Sequence, residues 1–243
     1  METQKQEFMF KRDWFGEGFR TRIPTLIFIF LMLSLYFPIN RYLNDKGGFV
    51  AHLDSIDGNM PLLPVFVIPY VLGFGMIGLM PIYAAWKFPR QLFQQYMTAL
   101  FTIMVIGFTI WIVLPAYVVK EPVVGDGFFR ELNRMVHNND STYGTHNAIP
   151  SSHVYYVTIG MCYYLLYNRR LAVPLAAFAV MNALSTMFTH QHYFLDVVAG
   201  FLLTIPVYEL TQHVTVPYLQ KLEQQYGRRK DKTLSTTAHH STD

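Results

Sequence analysis

The chain carries a single cysteine, Cys162, in 243 residues, so it can form no intramolecular disulfide and no cysteine-built metal site. Charge is scarce as well: Asp, Glu, Lys and Arg make up 14% of the residues, against 52% hydrophobic. That balance excludes an ordinary soluble domain with a charged surface. No glycine-rich phosphate loop and no dinucleotide fingerprint offers a place for a nucleotide, and no internal repeat is found. The histidines His146, His153, His190 and His192 lack the H-E-x-x-H spacing of a zinc helix, so neither a metal nor any other cofactor is expected. The basic stretch YGRRKDK at 226–232 has no interleaved aromatics. It reads as a topology determinant beside anionic lipid and not as a nucleic-acid site.

Long apolar runs fill the rest. Segments of spanning length, roughly 18 residues or more with few charges, begin near Ile23, Pro61, Tyr96, Val154, Leu171 and Val197. The expected fold is an all-α integral membrane protein, a bundle of six transmembrane helices over 23–219. Residues 1–22 form a polar N-terminal segment, and 220–243 form a basic tail whose composition predicts disorder. The first run follows 22 polar and basic residues without a small-residue cleavage site, so it is read as a retained span and not a removable signal peptide. Fourteen Lys and Arg residues lie in the two terminal segments and in loops two and four, against five in the longer loops one and three. The positive-inside rule therefore places both termini in the cytoplasm and loops one, three and five outside, with the plasma membrane as the expected location.

Ionisable groups near a membrane cost free energy, so their gathering places mark function. Two occur: HNAIPSSHV at 146–154, where loop three enters the fourth run, and STMFTHQHYFLDVV at 185–198, between the fifth run and the sixth. The fourth run goes inward and the fifth returns over about 20 residues, or about 30 Å. His153 and His192 then end at one outer level on neighbouring helices. His192 and Asp196 stand four residues apart, so on a helix they share a face. The carboxylate can fix the imidazole tautomer and leave the other ring nitrogen free to attack phosphorus. Pro150 suits a first helical turn, and the amides and hydroxyls of Ser151 and Ser152 at a helix N-terminus attract an anion, phosphate above all. His153 is placed to protonate the departing oxygen. His190 points away from His192 on a helix and is read as an interfacial histidine.

The motifs PSSH at 150–153 and STMFTHQHYFLD at 185–196 together resemble those of the type 2 phosphatidic acid phosphatase superfamily, whose second motif is usually P-S-G-H and third S-R-x5-H-x3-D. The resemblance runs from about Trp111 to Val207 and implies a six-helix membrane core that works on lipid phosphates. It places Ser185, His192 and Asp196 at the third-motif positions, with Ser185 beside the phosphate. Thr186 stands where the family has arginine, and the first motif, K-x6-R-P, is missing. Lys120, followed by Pro122, is the candidate for its lysine, with Arg130 and Arg134 as substitutes. The segment THQHYFLD also resembles inositol phosphorylceramide synthases, which transfer a phosphorylated headgroup between lipids. The expected activity is hydrolysis of a lipid phosphomonoester or diphosphate through a phosphohistidine, with such a phosphotransferase as the alternative. A transporter or a non-catalytic lipid-binding protein is the alternative of another class. Pro69, Gly73, Gly75 and Pro81 interrupt the second run, but no corresponding half supports a transporter.

Overall fold

In the computed structural model, which describes residues 15–218 and residue 221, eight helices make up the described chain: α1 (Phe19–Ser34), α2 (Tyr36–Asn44), α3 (Val67–Lys87), α4 (Arg90–Val113), α5 (Phe128–Tyr143), α6 (Ser152–Tyr167), α7 (Ala172–Phe188) and α8 (Phe194–Leu210). No strand occurs among the described residues, and one isolated bridge joins Phe49 to Ala116. The expected disorder of 220–243 concerns residues that, Lys221 apart, lie outside those described, as does most of the segment 1–22.

Among the described residues, five stretches are long and apolar enough to cross a membrane: Phe19–Asn44, Pro64–Lys87, Arg90–Val113, Arg169–Phe188 and Phe194–Tyr218. The sixth expected span, α6, has 16 residues and a length of about 24 Å at 1.5 Å per residue. The difference from the six-span expectation has a physical reason. Helix α6 packs against α3, α4, α7 and α8, and every residue from Ser151 to Gly160 is buried. A helix sheathed by its neighbours does not have to match the hydrocarbon thickness, whereas the helices around it present apolar side chains outward, as α3 does with Leu72, Phe74, Leu79 and Trp86.

Two close approaches set the geometry. On Gly200 of α8 a Cβ would lie 2.9 Å from Val154 Cβ and 3.0 Å from the Ser151 carbonyl oxygen, and on Gly73 of α3 it would collide with Asn182 Oδ1. Only a residue without a side chain lets these helices approach so far. Arg22 closes the opposite end: it is buried, donates to the carbonyls of Ala85 and Phe88 at the end of α3, and lies over the Phe93 ring. A guanidinium there satisfies carbonyls that a helix C-terminus leaves open.

Loops one and three are tied together beside the start of α6. Phe49 N–H donates to Pro115, Tyr117 N–H to Phe49, and Ala148 N–H to Ala116. Asn40 of α2 donates to the Gly144 carbonyl and accepts from His146 N–H. Trp111, fully buried, donates its indole N–H to the Pro150 carbonyl at 3.2 Å.

Loop three also contains α5, a helix that the sequence analysis did not assign. Gly127 and Gly144, with φ of 120° and 103°, bound it. Asn133, His137 and Asp140, at i, i+4 and i+7, lie on one face, and the first two are buried.

Candidate active site

The two histidines meet as the spacing predicts. The rings of His153 and His192 have centroids 6.0 Å apart, both are buried, and both line one small pocket with Lys120, Asp140, Ser152 and Gln191. His153 is held on its membrane-facing side by α3, stacked on Tyr70 at 4.5 Å and edge-on to Phe74 at 4.2 Å.

His192 precedes α8 and is aimed by its own backbone. Its N–H and that of Gln191 both donate to the Thr186 carbonyl, at 3.0 and 2.8 Å. Between α7 and this anchor the chain turns through His190, in the left-handed region at φ 53°, a conformation His adopts more readily than most side chains. Thr186, where the resembling family has arginine, therefore has a structural task here: its hydroxyl donates to the Ala183 carbonyl, and its own carbonyl holds the segment that carries His192.

Asp196 is fully buried. Its Oδ2 lies 3.3 Å from His192 Nδ1 and accepts Tyr193 N–H at 2.9 Å. It therefore orients the imidazole and also caps α8 from the third helical position, as a capping-box carboxylate does. The expected i, i+4 pairing forms even though His192 lies just outside the helix.

The opening of α6 differs from the expectation. Helix α6 begins at Ser152, with Ser151 as its N-cap. Pro150 lies before that N-cap, so it is not a first-turn proline; its peptide bond to Ile149 is cis. Ser151 N–H donates to the Asp196 carbonyl at 3.0 Å, which removes that amide from any phosphate cradle and locks α6 to α8. Ser152 does line the pocket, and the first amides of α6 have no partner within their helix. Ser185 lies off the pocket: it is fully buried, and its hydroxyl donates to the Asn182 carbonyl at 2.6 Å.

Lys120 reaches the pocket. Its ammonium donates to Gln191 Oε1 at 2.6 Å and pairs with Asp140 Oδ2 at 3.3 Å. Burial pushes its pKa below the usual lysine value, and the carboxylates of Asp140 and, less strongly, Asp196 oppose that shift. The proposed substitutes do not arrive. Arg134 pairs with Glu131 and donates to the carbonyls of Val123 and Gly125, while Arg130 is exposed and donates to Asp126. His190 is mostly covered, its Nε2 3.2 Å from the Met60 carbonyl oxygen.

Asp140 and Gln191 were not singled out from the sequence. A polar i, i+4, i+7 face on residues 133–140 was the available signal for the first; for the second none existed beyond its place between two histidines. Several buried polar atoms among the described residues have no hydrogen-bond partner: both ring nitrogens of His153, Ser151 Oγ, Gln191 Nε2 and Asp196 Oδ1. Buried polar groups are rarely left so; these five lie on or beside the two histidines, and others lie elsewhere, on Asn133, Tyr155, Tyr156 and Asn182.

The family model of the PAP2 superfamily matches residues 126–215 of this chain. The matched stretch runs from just before α5 to the end of the turn that follows α8, and it contains Asp140, Ser152, His153, Gln191, His192 and Asp196 but not Lys120. Similarity to that family suggests phosphatase or phosphotransferase chemistry. Neither the curated proteins nor the solved structures contain a match to the chain.

Proposed function

We propose that this is a membrane-embedded phosphoryl-transfer enzyme that works on a lipid phosphate ester at the outer membrane face by way of a phosphohistidine. The observation that carries the reading is the convergence, in one buried pocket, of two histidines 6.0 Å apart, a carboxylate on one of them and a lysine ammonium.

His192, its tautomer fixed by Asp196, attacks phosphorus through Nε2 while His153, on the opposite side, gives its proton to the leaving alcohol oxygen. Lys120, the amide group of Gln191 and the first amides of α6 balance the charge on the equatorial oxygens, which is the main catalytic work in phosphoryl transfer. The P–N bond of the phosphohistidine then breaks as water attacks, with His153 now accepting the proton. An alcohol in place of water makes the same cycle a phosphotransferase, the inositol phosphorylceramide synthase-like alternative.

Purified protein in detergent micelles with chelator, given a panel of lipid phosphate esters, tests the reading. Turnover that His192→Ala abolishes, with a phosphorus label trapped on the protein at neutral pH and released in acid, is the expected result. Turnover that survives His192→Ala would sink it.

A further inference from the structure

The connection between α7 and α8 carries His192 without being helical itself, and its backbone hydrogen bonds fall into two sets. At the end of α7 the carbonyls of Ser185, Thr186 and Met187 accept the amides of the turn that follows, those of Thr189, His190, Gln191 and His192. The Phe188 carbonyl accepts Leu63 N–H of loop one at 2.9 Å. The carbonyls of Thr189, His190 and Gln191, directly before His192, form the second set, and each faces a side-chain donor of loop three. Thr189 has the shortest contact, its oxygen 2.9 Å from His137 Nε2. Those of His190 and Gln191 lie 3.4 Å from Lys120 Nζ.

Both donors depend on one helix. His137 and Asp140 stand three residues apart on one face of α5, and Asp140 pairs with Lys120 at 3.3 Å. Helix α5 therefore grips the turn twice, directly through His137 and through Asp140 by way of Lys120. His137 and Thr189 are both buried, so loss of the ring donor leaves a buried carbonyl without a partner. A carbonyl only accepts, which puts the ring hydrogen on Nε2. Burial lowers the His137 pKa from its ordinary value; the Thr189 carbonyl opposes that shift and the Lys120 charge adds to it. The ring is then neutral at neutral pH, with its hydrogen on the nitrogen that faces Thr189.

This grip bears on chemistry because the turn has little else to fix it. His190 is in the left-handed region, and no helical ladder runs from Thr189 to Tyr193. Asp196 sets the rotation of the His192 imidazole, whereas the carbonyl contacts set where the backbone puts that ring. A displacement near 1 Å between reacting groups is enough to lower a rate about a hundredfold. His137 itself does not line the pocket, so its effect passes through the turn and not through contact with substrate.

Resting on the proposed phosphohistidine reading, we infer that His137 is a positioning residue for the nucleophile: its Nε2–H, bonded to the Thr189 carbonyl, holds the turn that sets His192 against His153, and α5 is the arm that supplies it.

Two amides of different reach test this in the full chain. In His137→Gln the side-chain amide nitrogen comes near the position of Nε2; in His137→Asn it is one carbon short and does not reach Thr189. The probes are phosphatidic acid and phosphatidylinositol labelled at phosphorus, in mixed micelles. In a single turnover, label is expected on His192 within about threefold of the parent rate in His137→Gln and at least about thirtyfold more slowly in His137→Asn, with KM changed by less than about threefold in both. Amide hydrogen exchange over residues 186–196 is expected to quicken in His137→Asn alone. Equal labelling rates or equal exchange in the two variants overturn the role of His137 and leave the phosphohistidine reading intact. Should the asparagine variant not fold, the nitrogen resonances of the histidine rings in the parent decide: hydrogen on Nε2 of His137 supports the role, and hydrogen on Nδ1 alone overturns it. A parent that takes label from neither lipid sinks the phosphohistidine reading, and the exchange comparison then decides by itself whether His137 holds the turn.

Discussion

At the scale of single residues, Asp196 shows how one buried carboxylate serves fold and site together, because its Oδ2 accepts the Tyr193 amide that starts α8 and meets His192 Nδ1. Asp196→Asn retains an oxygen for the amide but loses the charge that stabilises an imidazolium. The variant is expected to melt within a few degrees of the parent and to lose about 10²- to 10⁴-fold in kcat; a thermal melt and a rate on the same sample check both. Lys120 offers a pH test. Burial holds its pKa down and the Asp140 carboxylate holds it up, so Asp140→Asn lets it fall further. Phosphate binding needs the charged ammonium, so the alkaline limb of the kcat/KM profile is expected to move to lower pH in that variant. An unmoved limb would mean that Lys120 does not bind the phosphate.

At the scale of elements, the site depends on how closely α8 approaches α6. Ser151 N–H bonded to the Asp196 carbonyl and the absence of a side chain at Gly200 fix that approach. Gly200→Val places a methyl-bearing carbon within 3.0 Å of Val154 and the Ser151 carbonyl, so one helix has to move. The expected outcome is helix content like the parent's by circular dichroism, with at least a hundredfold lower activity, since displacements near 1 Å between reacting groups cost that much. Helix α5 works differently. It lies against α2 and α3 and brings Asp140 to Lys120, so a segment that reads as a polar loop forms one wall of the pocket.

At the scale of the whole molecule, the bundle presents apolar side chains outward from its peripheral helices and keeps a polar site at one end. That end carries loops one and three, the face that charge asymmetry assigns to the outside. Cys162, the sole cysteine, makes the assignment testable. In a Cys162→Ser background, Glu121→Cys in intact cells is expected to react with a membrane-impermeant maleimide, and Arg169→Cys to react only after the membrane is opened. The reverse pattern would place the site in the cytoplasm.

Much of this was legible in the sequence because it is local. Long apolar runs identify membrane helices wherever they pack, and the spacing His192-x-x-x-Asp196 specifies a hydrogen bond within one turn. Short connections bring consecutive helices side by side, so the meeting of His153 and His192 also followed from chain order. Tertiary structure decided the rest. Ser185 and Thr186 turned into backbone supports, and Ser151 spent its amide on α8, because where a hydroxyl or an N–H points depends on the neighbouring chain. Asp140 and Gln191 entered the pocket from α5 and the turn before α8, and the 16-residue α6 is enclosed by four helices, so its length need not match the hydrocarbon thickness. The sequence by itself determined which groups are chemically able to move a phosphoryl group. Which of them share a pocket was decided by non-local packing, through contacts between residues 39 to 130 positions apart that no periodicity along the chain records.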